Sequence, residues 1–354
     1  MWIISVIERD GVVRVRRRQR SRVVLLRGRS SNSGPITESI MRHWPGSREG
    51  MRITAVKIRN YRSLKSIEMD GLRSMVVLIG GNGSGKSNLL EALELFFSDL
   101  NLQSDAARQF EASTWFDKRT TPPIDFDVTM ELDDRDFERI FDDEVMRVLK
   151  GDNRPSGPAK LRIHRRIVTN LWRNVEAELE GHFQMKDGKI IASPLGQETR
   201  EPPFEPELPN LLFAKFHALL KNQFRLIRGP RESPERPDPM SRGTVIDPET
   251  RSRLISLANS SIRDEEDLWI NLDETYQQFS GRPLRVRGQL LEFIRGNLLL
   301  PIEAAGSGDQ ALLILLRSVI DGIPLIGIEE PETRLHHDYQ RRLFEYLKSL
   351  AVNR

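Results

Sequence analysis

The octapeptide Gly80-Gly81-Asn82-Gly83-Ser84-Gly85-Lys86-Ser87 satisfies every fixed position of the phosphate-binding pattern G-x-x-x-x-G-K-[ST]. Its flanks agree with that chemistry. The apolar run Met75-Val76-Val77-Leu78-Ile79 reads as a buried strand feeding the loop, and Asn88 to Phe97 reads as the helix leaving it. Glycines let backbone N–H groups turn toward an anion, and a helix N-terminus adds positive potential. Gly80, Asn82, Gly83 and Gly85 are thus expected to cradle phosphates. Lys86 would reach the β- and γ-phosphates of a nucleotide, and the Ser87 hydroxyl would ligate Mg2+.

A second apolar, β-branched run, Ile323 to Ile328, ends in Glu329-Glu330-Pro331-Glu332. Acids at the carboxyl end of a buried parallel strand stand where open α/β sheets place ligands. Glu329 would hold the metal, directly or through water, and Glu330 would polarise the attacking water. A solvated acidic turn initiated at Pro331 is the competing reading. Upstream, Gly306-Ser307-Gly308-Asp309-Gln310 runs into the apolar helix Ala311 to Leu316, which on its own could be no more than an N-terminal cap.

With these three stretches in this order, the chain resembles the ATP-binding-cassette (ABC) superfamily. The likeness is to the soluble ATPase heads of RecF, SMC, Rad50 and OLD-type proteins, also grouped as AAA-15-like or AAA-21-like ATPases. The resemblance implies an α/β P-loop NTPase fold with a mixed sheet, an added antiparallel β lobe and an inserted helical region. It implies ATP and Mg2+ as ligands, and a homodimer that closes on ATP. In that dimer Ser307, Gly308 and Gln310 would cap the γ-phosphate bound by the other subunit. Asp309 replaces the family's more common glycine, as in several OLD-like members. Residues 51–65 resemble the opening strand and its Asn-aromatic-Arg turn, in which Arg59, Asn60 and Arg62 either touch the nucleotide or form an exposed basic turn. Glu330 to His336 resembles the loop that faces the partner subunit. The residue that senses magnesium through a glutamine is not placed, Gln103 and Gln109 being candidates by order alone. The likeness further implies a DNA-processing or phage-defence role with a nuclease partner.

Lys86 and Glu330 are far apart in sequence, yet both would serve one phosphate, so most of the intervening chain must be an insertion. The Asn-Lys-x-Asp base-recognition motif of GTPases does not occur. The expected division is a leader over residues 1–50 and an ATPase domain over 51–354. Within that domain a phosphate-loop lobe spans 51–100, an inserted region 110–285, and a signature and acidic-strand lobe 286–354.

The basic pI of 9.2 belongs to the leader. Residues 1–50 hold 11 Arg against 4 acids, while the whole chain carries only +3. This leader reads as a basic nucleic-acid arm, or as a disordered or mis-assigned start preceding Met51, the second reading being preferred. Zero cysteines exclude disulfides and thiolate-bound zinc and fit a cytoplasmic protein. No apolar run approaches the length of a membrane span. His336 and His337, adjacent on a helix, would point in different directions and make a poor metal pair.

Between the two ends, residues 125–132, 161–168, 171–180 and 182–192 read as strands, the last folded at Asp187-Gly188. Residues 134–150, 211–220 and 263–279 read as helices, and 224–228 as a strand. Residues 196–209 and 229–248 are rich in Pro, Glu and Arg and read as flexible. The family places a strand ending in a switch histidine some thirty residues beyond the catalytic acid, whereas Arg354 comes sooner. A shortened coding sequence or a separately encoded partner would each account for that, and either would impair hydrolysis. Two functional alternatives stay open: a nucleotide-gated module with negligible turnover, and an inactive fragment.

Overall fold

The computed structural model describes residues 2–7, 22–24, 51–98, 112–149, 159–168, 171–180, 183–186, 189–192, 208–221, 223–227, 246–329 and 337–352. They form two compact units that divide after Leu226. In chain order the first unit contains β1 (Trp2–Ile7), β2 (Arg22–Val24), β3 (Arg52–Tyr61), β4 (Leu64–Asp70), β5 (Met75–Gly80) and α1 (Lys86–Ser98). There follow β6 (Ile124–Leu132), α2 (Asp134–Ile140), α3 (Asp143–Leu149), β7 (Ala159–Val168), β8 (Leu171–Leu179), β9 (Phe183–Lys186), β10 (Lys189–Ala192), α4 (Leu208–Leu220) and β11 (Phe224–Ile227) at the boundary.

An antiparallel sheet in the order β10-β9-β8-β7-β6-β3-β4 organises this unit. Its two faces follow from period-2 alternation. Ile124, Phe126, Val128, Met130 and Leu132 of β6 are all buried, as are Leu161, Ile163 and Ile167 of β7. In β3 the buried set changes parity, from Ile53 to Val56 and Ile58, because a bulge falls between Ile53 and Ala55. Helix α1 lies on this apolar face through Leu89, Leu93, Phe96 and Phe97. The Phe96 ring sits 6.3 Å from Phe126, and Phe97 stacks on Phe224 at 5.8 Å. Phe96→Ala would cost about 3–5 kcal/mol by loss of this contact. Among these side chains Arg165 is also fully buried, with Nη1 donating to the Phe96 carbonyl near the end of α1 at 3.5 Å.

The opposite face is a ladder of alternating charge. β3 offers Arg52, Lys57 and Arg59, facing Glu131, Asp127 and Asp125 of β6. Those acids in turn face Lys160, His164 and Arg166 of β7, and Arg162 and His164 face Glu178 and Glu176 of β8. Arg162 grips Asp127 with two bonds of 2.9 and 2.6 Å. At Asp125, burial alone would raise the carboxyl, but hydrogen bonds from His164 and Arg166 override it and hold the group below its ordinary value.

The expected helix over 134–150 is two helices. Phe141 leaves the helical region at φ −99°, ψ 55°, and Asp142 restarts the chain by accepting a hydrogen bond from the Val145 N–H at 3.2 Å. The break lets Phe137, Ile140, Phe141 and Val145 all be buried, and Lys215 of α4 ties the corner through Asp142 and Glu144 at 2.6 and 2.7 Å.

The second unit contains α5 (Pro248–Ala258), α6 (Arg263–Ser280), β12 (Leu284–Arg287), β13 (Leu290–Arg295), β14 (Leu298–Pro301), α7 (Ser307–Ile320), β15 (Leu325–Glu329) and α8 (His337–Val352). β12, β13 and β14 form an antiparallel meander. Each of its two-residue turns opens on a glycine at positive φ, Gly288 and Gly296 both at 62°, which suits a tight hairpin. Arg317 of α7 is buried and reaches Thr250 of α5 at 3.1 Å and Asp321 at 2.9 Å, so a charged network joins the helices. None of the described helices is long and apolar enough to cross a membrane.

Candidate nucleotide site

β5 is buried along most of its length, and its parallel neighbour β1 brings Ile7 opposite Gly80, where the phosphate loop begins. The leader therefore contributes two strands beside β5, since β2 pairs with it antiparallel. The loop then turns on Gly83 (φ 74°) and Gly85 (φ 94°), conformations that a side chain disfavours. The Ser84 N–H closes onto the Gly81 carbonyl at 3.2 Å, and the Leu89 N–H bonds Gly85 at 2.9 Å as α1 starts at Lys86.

The Lys86 ammonium folds back over this loop and donates to the Gly80 and Gly81 carbonyls at 2.7 and 3.1 Å. Gly81, Asn82 and Gly83 are exposed, and Lys86 and Ser87 are half-buried. A cation poised over its own loop, with a helix N-terminus behind it, is a donor set suited to phosphate oxygens. The packing is tight, because a Cβ on Gly80 would meet Ser84 Oγ at 2.8 Å. Ser87 is the second residue of α1, the position whose hydroxyl the phosphate-loop pattern assigns to a metal.

The turn between β3 and β4 lies against the far side of the loop. A Cβ on Gly85 would meet Leu64 Cδ2 at 2.8 Å and Ser63 Oγ at 3.2 Å. Asn88 donates to Ser63 Oγ at 2.7 Å, and Arg62 pairs with Glu91, whose residue is 8% exposed. Asn60 donates its side-chain amide to the Pro123 carbonyl at 2.8 Å. Arg59 is exposed in β3 and stands opposite Ser66 and Asp125. Thus the side chains of Asn60 and Arg62 are engaged with the protein itself.

In the second unit Glu329 ends the fully buried β15 and is itself 4% exposed. Its carboxylate is of the type that holds magnesium through water. Glu330 and the stretch to His336 lie outside the described residues, as do Gln103 and Gln109. Gly306 precedes α7 at φ −59°, and Ser307 and Gly308 form its first turn. Gln310 is fully buried. Its Oε1 accepts from the Ile246 N–H at 3.1 Å, and its Nε2 donates to the Ala305 carbonyl at 3.1 Å. The two ends of this amide tie the segment before α7 to the segment before α5, so the structure gives Gln310 a packing role within its own unit. Asp309 faces Arg282 at 3.2 Å, and Arg282 lies over the Phe293 ring. Burial pushes the Asp309 carboxyl above its ordinary value, against the opposing charge of Arg282.

Residues 75–353 match the family described as "AAA domain, putative AbiEii toxin, Type IV TA system". The chain belongs to that AAA domain family. The match takes in both the phosphate loop and the acidic strand, as the expected ATPase-head fold requires. Among curated relatives, the DNA replication and repair proteins RecF of Rickettsia massiliae (strain Mtu5) and Rickettsia akari (strain Hartford) are each 42% identical over 50 residues. Those residues are 14% of this chain and 14% of either relative, so the chain spans a small part of the relatives it matches. A solved structure of the recombination mediator protein RecF-ATP in the RecFOR pathway aligns over 84% of this chain and 91% of its own, at 12% identity and a TM-score of 0.37.

The structure adds the Arg62–Glu91 and Asn88–Ser63 contacts to what the sequence suggested. Their signal lay in the spacing of Glu91 along α1, which stands three residues after Asn88 and four after Ser87 and so neighbours each of them on the helix surface.

Proposed function

We propose that this chain binds ATP with magnesium at Gly80–Ser87 and hydrolyses it, with ATP closing two copies of the domain against each other. The observation that carries the reading is the Lys86 ammonium held over the Gly80 and Gly81 carbonyls at the mouth of a loop with two positive-φ glycines. Lys86 would exchange those carbonyls for β- and γ-phosphate oxygens. Bound magnesium would neutralise charge on the same phosphates. Ser87 and Glu329 would hold the metal, Glu330 would orient water, and Ser307 and Gly308 would meet the nucleotide of the second copy. A DNA-processing role is supported by the short likeness to RecF proteins and a defence role by the family's toxin-system description, while a nuclease partner rests on the sequence resemblance alone. DNA phosphates would be held elsewhere than on the outward face of the antiparallel sheet, where basic side chains are already matched by acids.

Titration of ATP into wild type and Lys86→Ala tests the binding step. Loss of a charged donor to two phosphates should weaken affinity about 100-fold or more. Equal affinities in two folded proteins would remove the assignment. For turnover, Glu330→Gln should retain ATP and lower the rate by about 100-fold or more, whereas Glu329→Ala should weaken the magnesium dependence of binding. Wild-type turnover in Glu330→Gln would refute that division of roles.

A further inference from the structure

The turn at Asn60–Leu64 is held from two sides. On the sheet side, the Arg62 N–H donates to the Thr114 carbonyl at 2.8 Å, the Phe116 N–H to the Asn60 carbonyl at 2.9 Å, and Asn60 Nδ2 to Pro123. Tyr61 bridges Trp115, and its ring meets Phe126 of the sheet core edge-on. On the other side, Ser63 and Leu64 fill the space beside Gly85 while Arg62 and Ser63 engage Glu91 and Asn88 of α1. Asn60 and Arg62 have φ of 60° and 46°. Left-handed backbone is uncommon for residues other than glycine, and for Arg it persists only where the surroundings over-determine it.

We propose that this turn is a positioning element that locks the antiparallel sheet to the phosphate loop, with Arg62 acting on nucleotide affinity through Glu91. The proposal rests on the nucleotide reading of Gly80–Ser87. Gly85 and Lys86 are consecutive, so whatever fixes Gly85 and the first turn of α1 also fixes where the ammonium and the loop N–H groups point. Glu91 is one turn further along the helix and nearly buried, so its contact with Arg62 sets how α1 rests on the turn. A strained turn that grips both the loop and the sheet passes displacement of one to the other. Nucleotide affinity is then set in part by the lobe.

The test is a double-mutant cycle on the full chain, with ATP affinity measured by titration and the ATP-free melting temperature recorded for each variant. Arg62→Asn removes the guanidinium while keeping a residue that tolerates positive φ, and Glu91→Gln keeps shape while removing charge. Each single variant should lose about tenfold in ATP affinity, with the double variant losing no more than either. Arg62→Lys should restore most of it, because the contact with Glu91 is made through one nitrogen. If Arg62 instead touched the nucleotide directly, Arg62→Asn would lose affinity while Glu91→Gln would keep it, and that result overturns the proposal. Wild-type affinity in both variants overturns it as well, as does a fall in melting temperature without a change in affinity. Lys86→Ala, run alongside, separates the two readings. If it loses ATP while the cycle shows no effect, the positioning role alone fails, and if it binds as wild type, the nucleotide reading fails too.

Discussion

Two helices in this chain begin at the same tripeptide and are built to different ends: α1 starts at Lys86, after Gly83-Ser84-Gly85, whereas α7 starts at Ser307, inside Gly306-Ser307-Gly308. At the first, the glycines stand at φ 74° and 94°, the loop tip is exposed, and a lysine lies over the loop carbonyls. At the second, Gly306 has φ −59°, which any residue adopts, and the buried Gln310 pins the preceding segment. The next charge there is an acid held by Arg282. The lesson is that the same Gly-Ser-Gly is set apart by its backbone conformation and by the charge that follows, and that the first has both features the proposed phosphate cradle needs. The second helix start carries a carboxylate in its first turn and is expected to meet a phosphate only across an assembly, through Ser307 and Gly308.

The largest effect that would break this comparison is on assembly. Ser307→Arg places bulk and charge at the second helix start, so it should abolish ATP-driven dimerisation while ATP affinity in the monomer stays at the wild-type value. Light scattering with and without ATP reads this. If the stretch is only a helix start, the substitution will lower stability by about 0.5–2 kcal/mol and leave assembly unchanged.

A smaller effect sharpens the contrast between the glycines. Gly85→Ala must adopt a disfavoured φ against Leu64 and Ser63, and the strain of about 1–2 kcal/mol should appear as roughly a tenfold loss of ATP affinity. Gly306→Ala meets nothing closer than Asp309 Oδ2 at 4.0 Å and should leave affinity unchanged. Equal responses at the two positions would erase the distinction.

The smallest effect concerns the acid that follows the second tripeptide. The Asp309 carboxyl is raised in the folded protein, so folding takes up a proton there. Its contribution is fullest below the ordinary aspartate range and is lost as pH rises through the raised value. Asp309→Asn should flatten that part of the stability profile, so the melting-temperature difference between variant and wild type should shift in the variant's favour from pH 4 to pH 7. A difference that moves the other way would mean that the Arg282 pair, rather than burial, dominates.

The first of these helix starts was fully legible in the sequence because local chemistry fixes it, with strand, glycines, lysine and helix contiguous. The antiparallel lobe was legible for the same kind of reason, since β6 alternates from Ile124 to Leu132 without a fault. What escaped was set by tertiary contact or by an unread local signal. The split of α2 from α3 depends on burying Phe141, which no helical period announces. The meander β12–β14 carried a signal, Arg287-Gly288-Gln289-Leu290 repeated as Arg295-Gly296-Asn297-Leu298, and α5 carried another in Asp247-Pro248, an N-cap followed by a first-turn proline. Arg165, fully buried in β7, contradicts the polarity pattern and becomes intelligible only beside the end of α1.

The central claim, that the first tripeptide and Lys86 form the chain's own nucleotide cradle, is tested most directly by the binding stoichiometry of ATP with magnesium in a calorimetric titration. One nucleotide per chain is expected for wild type and for Gly306→Ala, and no measurable binding for Lys86→Ala at the same concentrations. Retention of a full site by folded Lys86→Ala would contradict the account.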